Sequence, residues 1–281
     1  AHFPPPIHGS SLVALSLAKI TSAKTIDIGL MSSIDQHGKL TFRKSVLFLK
    51  TLVTIMTVNN ELVLYIPTAK GVTIWRDLFY IVCLKFRGNT IKLYYLNKSY
   101  KKSASINYFL RYLTQKLGDV ILTDKLLIEN TLAPKSKSYQ VLPLWSRFKY
   151  SIKEIHISKT VGFFSNNYLF KGIDIYEKIV KMNPEIEFIV AGAMGDYRIG
   201  EHDNLIRLGS LDEEKAKKFY KSIDILIYPS RDDCFPLTIL EALSAGVFVL
   251  GSNVGAIPSL LDSGRGKVLE IEDFVDININ A

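Results

Sequence analysis

Residues 225–258, ILIYPSRDDCFPLTILEALSAGVFVLGSNVGAIP, constrain the chain most, because an apolar run, an acidic loop, a helical stretch, a second apolar run and a glycine turn follow one another directly. Ile225–Tyr228 is closed by Pro229 and Ser230, the pattern of a short strand buried in a parallel sheet. Pro236 stands where a helix can start, since it lacks the N–H that a first-turn residue leaves unpaired anyway. Gly246 stops that helix, and Val247–Leu250 supplies the next strand. A helix N-terminus at the carboxyl end of a parallel strand offers unpaired N–H groups and the positive end of a dipole, so it can hold a phosphate or diphosphate. Asp233 lies just before this helix and Glu241 within it. Carboxylates accept hydrogen bonds from hydroxyls, so the set suits a diphosphate flanked by hydroxyl-rich rings, as in a nucleotide sugar. Taken singly, Asp233 reads as readily as a helix cap and Glu241 as a solvated helix position. The order of features favours the ligand.

The remaining chain alternates in the same way. Strands are expected near Thr25–Leu30, Leu62–Ile66, Thr90–Leu96, Asp119–Leu122, Tyr139–Leu142, residues 155–163, EIEFIVAGA and NLIRLGSL, with helices near Leu12–Ile20, Lys44–Val58, Val72–Phe86, Ile106–Lys116, IDIYEKIVKM and DEEKAKKFYKS. This predicts an α/β fold with doubly wound sheets, and 281 residues suffice for two such domains. Pro143 and the mixed composition of residues 142–158 mark the connection, giving domains of 1–148 and 149–281. GVTIWRDLFYIVCLKFRG carries large apolar side chains on more than one side, which predicts a helix deeply packed or lying against a membrane, with core packing the expected account.

Charge is unevenly placed. Residues 1–150 hold 21 Lys and Arg against 7 Asp and Glu, a net of +14, which leaves −6 for the remainder of a chain whose total is +8. A basic half suits anionic lipid, an acidic acceptor or nucleic acid, and equally a merely solvated basic surface. Cys83 and Cys234 have neither disulfide-framework nor metal-ligand spacing, which fits a reducing compartment. No apolar run reaches the ~18–20 residues that span a bilayer.

The stretch DCFPLTILEALSAGVFVLGSNVGAIPS resembles the signature of the retaining glycosyltransferases of family 4, EGFG-x-x-x-LEAMA-x-G-x-PVV-x-S-x-x-GG-x-PE. The resemblance implies two Rossmann-like domains facing across a cleft, the GT-B fold. It also implies transfer of a sugar from a nucleotide diphosphate sugar to a hydroxyl acceptor, a surface glycan or lipid-linked saccharide, with retention of configuration. Neither metal nor other cofactor is expected, nor nucleic acid as a partner. A cytoplasmic location, peripheral on an anionic membrane through the basic half, follows as an expectation. By the same resemblance Asp233 lies beside the donor sugar and Glu241 holds the ribose. Lys171, before Gly172, neutralises the diphosphate together with N–H groups near Leu237 and Thr238. Gly192, Ala193, Ser210 and Leu211 border the base, the loop residues Cys234, Phe235 and Pro236 line the donor, and the turn at Gly9 faces the cleft.

Some positions depart from the family pattern. Phe163 falls where an Arg often follows the strand's glycine. The histidine usual on the acceptor side is missing beside Tyr94, Tyr95 and Asn97, where Lys98, Lys101 and Lys102 add charge, and His8 reads as a surface residue. The resemblance further implies a chain that starts late in its first strand and stops before the final helices that cross back onto the first domain. An epimerase of the same architecture and an inactive nucleotide-sugar-binding scaffold are the alternative functions.

Overall fold

The computed structural model describes residues 9–26, 42–67, 73–96, 106–123, 139–146, 148, 159–166, 168–193, 195–262, 264–277 and 279. The chain divides into two compact units, Ala1–Leu144 and Trp145–Ala281. The expected strand over Thr25–Leu30 lies largely outside the described residues, as do His8, Asn97, Lys98, Lys101 and Lys102.

The N-terminal unit holds α1 (Gly9–Thr21), α2 (Phe42–Thr57), α3 (Thr73–Phe86) and α4 (Ile106–Lys116). Its strands β1 (Leu62–Tyr65), β2 (Thr90–Tyr95), β3 (Asp119–Leu122) and β4 (Tyr139–Val141) form a parallel sheet in chain order. Its core gathers Ile55 of α2, Tyr80, Ile81 and Leu84 of α3, and Tyr65, Ile91 and Leu93 of the strands. Tyr94, expected near an acceptor, is instead fully buried, and its hydroxyl donates to the Leu142 carbonyl at 2.7 Å. That bond ties β2 to the chain leaving β4, and burial pushes the phenol's pKa well up. Tyr94 is therefore a structural residue.

The C-terminal unit is a parallel six-stranded sheet of β5 (Thr160–Phe164), β6 (Glu187–Ala191), β7 (Leu205–Gly209), β8 (Ile225–Tyr228), β9 (Phe248–Ser252) and β10 (Gly266–Leu269). Their spatial order is β7-β6-β5-β8-β9-β10. The chain builds outward from β5 to β7, returns to β8 beside β5, and builds outward the other way. The loops after β5 and β8 therefore leave in opposite directions, opening the crevice where doubly wound sheets take their ligands.

Helix α5 (Ile173–Met182) buries Tyr176, Ile179 and Val180 with Phe188 and Phe274 on one face of this sheet. The other face is covered by α6 (Glu213–Ser222), α7 (Leu237–Ser244) and α8 (Ile257–Leu261), which contribute Phe219, Tyr220, Ile239, Ala242 and Ile257. Helix α6 has the charge pattern its sequence suggests. Asp212 caps it through a 2.8 Å bond from the Lys215 N–H, Glu213 and Glu214 fill its first turn, and Lys221 its last.

Phe163, where the family pattern often has an Arg, is a core residue. It is fully buried within β5, 5.2 Å from Tyr176 between ring centroids, and the loop begins only after Phe164. The position is a core site of the strand, packed among Tyr176, Ile179 and Phe188. It does not stand in for a phosphate-binding cation.

Candidate functional site

Two glycines draw the loops of the crevice together. Gly172, between a short 3-10 turn (Leu169–Lys171) and α5, has φ 80°, and a Cβ there would lie 2.1 Å from the Pro229 carbonyl oxygen. Gly255, after β9, has φ 57°, and a Cβ there would lie 2.2 Å from the Asp233 carbonyl oxygen. The β5–α5 turn can thus press on the start of the β8–α7 loop, and the turn after β9 on its end. The Ala256 N–H donates to the Cys234 carbonyl at 2.9 Å and fixes the second approach.

Lys171 is held by a brace between these loops. The Arg231 N–H donates to the Phe170 carbonyl at 2.8 Å. The Arg231 guanidinium meets both Asp174 carboxylate oxygens at 2.7 and 2.8 Å, and also donates to the Leu169 carbonyl. A planar fork on a carboxylate fixes orientation as well as charge. Burial would raise the Asp174 pKa, but the Arg231 hydrogen bonds and charge bring it below the usual carboxylate range.

Beside the brace Lys171 Nζ pairs with Asp233 Oδ2, both side chains being mostly buried at 19% and 15% exposure. The Tyr228 hydroxyl, at the end of β8, donates to the same Asp233 oxygen at 2.6 Å and lies 3.4 Å from Lys171 Nζ. Burial, and then the Asp233 charge, raise the Tyr228 phenol well above its ordinary pKa. The tyrosine therefore stays protonated and remains a donor. The other Asp233 oxygen accepts from the Cys234 N–H at 2.8 Å.

Asp233 is consequently no helix cap. Pro236 holds the cap position of α7, one residue before the first helical residue Leu237, and no side chain caps the helix. The first-turn N–H groups of Leu237 and Thr238 follow directly on the loop that carries Asp233, in which Phe235 and Pro236 are buried. Glu241 is equally not a solvated helix position. It is 3% exposed and accepts from the Tyr220 hydroxyl at 2.9 Å.

The carboxyl ends of β6 and β7 form a cleft of about 480 Å³, whose lining includes Gly192, Gly209, Arg198, Glu201 and Arg207. The Gly192 N–H donates to the Gly209 carbonyl at 2.8 Å, and the Ala193 N–H to Asn166 Oδ1 at 3.2 Å. Ser210 is exposed and Leu211 half-buried just past β7. Gly9 opens α1, in the other unit.

The structure thus brings Lys171 and Asp233 into contact and sets Gly192 in the cleft. Tyr228 is the site residue the sequence reading missed. Its signal is a hydroxyl-bearing residue closing the otherwise aliphatic strand ILIY at the strand's carboxyl end.

Residues 159–277 match the family model described as Glycosyl transferases group 1. This segment is similar to the group 1 glycosyl transferases. The matched segment contains every element of the crevice, from β5 to the turn after β9. Among known proteins, an uncharacterized glycosyltransferase of Methanocaldococcus jannaschii is 30% identical over a segment covering 33% of this chain and 28% of that protein. The phosphatidylinositol N-acetylglucosaminyltransferase gpi3 subunit of Schizosaccharomyces pombe is 27% identical over 41% of this chain and 28% of its own length. These matches span less than a third of either relative. Sucrose-phosphate synthase from Thermosynechococcus elongatus superposes with a TM-score of 0.62 at 15% identity, covering 83% of this chain and 66% of that one. The two units thus each have the parallel α/β architecture found in GT-B glycosyltransferases.

Proposed function

We propose that the chain transfers a sugar from a nucleotide diphosphate sugar to a hydroxyl of a glycan or lipid-linked acceptor, with retention of configuration and without a metal. The observation that carries this reading is the Lys171–Asp233 pair at the switch point of the sheet, next to the uncapped start of α7. Lys171 and the Leu237 and Thr238 N–H groups supply positive charge where a departing diphosphate gains negative charge, the kind of stabilisation that lowers such barriers most. In the proposed step the bond between the anomeric carbon and the diphosphate oxygen breaks. The acceptor oxygen bonds to that carbon from the same face, and the acceptor proton passes to the departing phosphate.

Asp233 accepts a hydrogen bond from a donor-sugar hydroxyl in this reading, and Glu241 from the ribose. The cleft lined by Gly192 and Gly209 takes the base. The names of the relatives support the class of reaction. An epimerase would require acid and base side chains at the sugar, and no residue has been assigned that part.

Titration calorimetry with a panel of nucleoside diphosphates and their sugars tests the proposal. One nucleotide should bind in the presence of EDTA, and Lys171→Ala should weaken it by roughly tenfold or more, the loss of one charge-assisted contact. Glu241→Ala should weaken the same nucleotide in a folded protein. Unchanged affinity in both variants overturns the site assignment. Binding that appears only with added divalent metal overturns the metal-free mechanism.

A further inference from the structure

Two helices of the N-terminal unit carry apolar stripes that the fold leaves uncovered. On α3, Trp75, Phe79, Val82 and Phe86 are exposed at 50%, 46%, 47% and 85%, opposite the buried Ile74, Tyr80, Ile81 and Leu84. At about 100° per residue these four lie within roughly 60° of arc, along about 16 Å of helix. On α2, Val46, Leu49, Val53 and Met56 are likewise exposed, within roughly 80° of arc. The helices adjoin: Phe48 of α2 stacks on Phe79 at 5.9 Å and on Tyr80 at 5.3 Å. The deep packing expected for α3 therefore holds for one face only. A contiguous exposed apolar surface of this kind marks a docking site.

Its charge identifies the occupant. The exposed Lys50 stands between Leu49 and Val53, and the exposed Lys85 between Val82 and Phe86. The α2 sequence has no acidic residue. The one acid of α3, Asp77, is buried, paired with Arg76 at 2.8 Å and accepting the Tyr65 hydroxyl at 2.9 Å. Apolar stripes whose exposed charges, among the described residues of α2 and α3, are lysines match a surface that is oily below and anionic above. A second copy docked through the same patch would bring these lysines against their own like charges.

We propose that α2 and α3 seat the N-terminal unit on an anionic lipid bilayer, with Trp75, Phe79 and Phe86 entering the headgroup–acyl boundary and Lys50 and Lys85 meeting lipid phosphates. Contact of this kind lies in the interface plane. Among the described residues no helix is long and apolar enough to cross a membrane.

The test uses the full chain with Trp145→Phe, which leaves Trp75 as the sole tryptophan. Vesicles of equimolar phosphatidylglycerol and phosphatidylcholine should shift its fluorescence to the blue and co-sediment the protein, whereas phosphatidylcholine vesicles should do neither. Phe79→Ser with Phe86→Ser should weaken partitioning about tenfold or more. Lys50→Gln and Lys85→Gln should each weaken it about fivefold, with salt reproducing the effect. Both residue sets are exposed, and circular dichroism confirms folding. Absence of sedimentation with either vesicle overturns the proposal. So does equal binding to neutral vesicles that the lysine variants leave intact, or a dimer in ultracentrifugation that Phe79→Ser with Phe86→Ser dissolves while vesicles bind nothing.

Discussion

Two carboxylates of the C-terminal unit are each met by a tyrosine hydroxyl and a lysine, and they serve different ends. Glu177, inside α5, accepts from the Gly200 N–H at 3.0 Å and from the Tyr197 hydroxyl, and lies 3.0 Å from His202 Nε2 and 3.2 Å from Lys181 Nζ. Its side chain is 5% exposed, and the donors come mainly from the loop joining β6 to β7. That cluster fastens a loop to a helix and leaves the carboxylate saturated. Asp233 has fewer partners, keeps three times the exposure, and stands where two strands send their loops in opposite directions. The same chemical parts make a clasp in one place and a binding corner in the other, and position in the topology separates them.

The clasp should show in stability. Burial would raise the Glu177 pKa, but the hydrogen bonds from Tyr197, His202, Gly200 and Lys181 outweigh it and hold the group at about 2. The folded pKa lies below the unfolded one, so the stabilisation is present above the unfolded value near pH 4.5 and is lost as pH falls towards 2. A shift of this size corresponds to about 3 kcal/mol. Denaturant melts from pH 7 to pH 2 should show the wild type losing about that much more than Glu177→Gln, which begins less stable. Parallel pH profiles for the two proteins would break the contrast between clasp and corner.

The corner should show in turnover. Asp233→Asn keeps the side chain's shape in a mostly buried pair and should cost about 1–2 kcal/mol, less than the clasp. Nucleotide affinity should hold or rise, because Lys171 loses its internal partner. Sugar transfer should fall about a hundredfold, the usual scale for losing a charged contact at the reacting centre. A large loss of stability with the remaining activity proportional to the folded fraction would make Asp233 a second clasp.

Much of this arrangement is legible in sequence. The helices of DEEKAKKFYKS and IDIYEKIVKM and the strands flanking the acidic loop follow from periodicity and capping, and they form where expected. What is not legible depends on register and on distant partners. Phe163 and Phe164 are adjacent, yet the first is fully buried and the second half-buried at the end of the strand, a difference that register alone sets. The Arg231–Asp174 brace joins residues 57 apart, and nothing local marks either. The two faces of α3 look alike in sequence because both are apolar, and only packing shows that one is uncovered.

Tyr228→Phe tests the smallest difference between the two clusters. The phenol sits at 2% exposure in a site lined by Lys171 and Asp233, so removing its oxygen leaves the ring packing intact while Asp233 loses one donor. Unlike the Glu177 clasp, the corner retains Lys171 and the Cys234 N–H on that carboxylate. Stability should therefore fall by about 1 kcal/mol or less. If Tyr228 aims the carboxylate at the sugar, kcat should drop roughly fivefold while nucleotide affinity and the KM for donor stay near wild type. A purely structural hydroxyl predicts the opposite split, with kcat per folded molecule unchanged and the melting temperature lowered, so one kinetic series and one thermal melt decide the role.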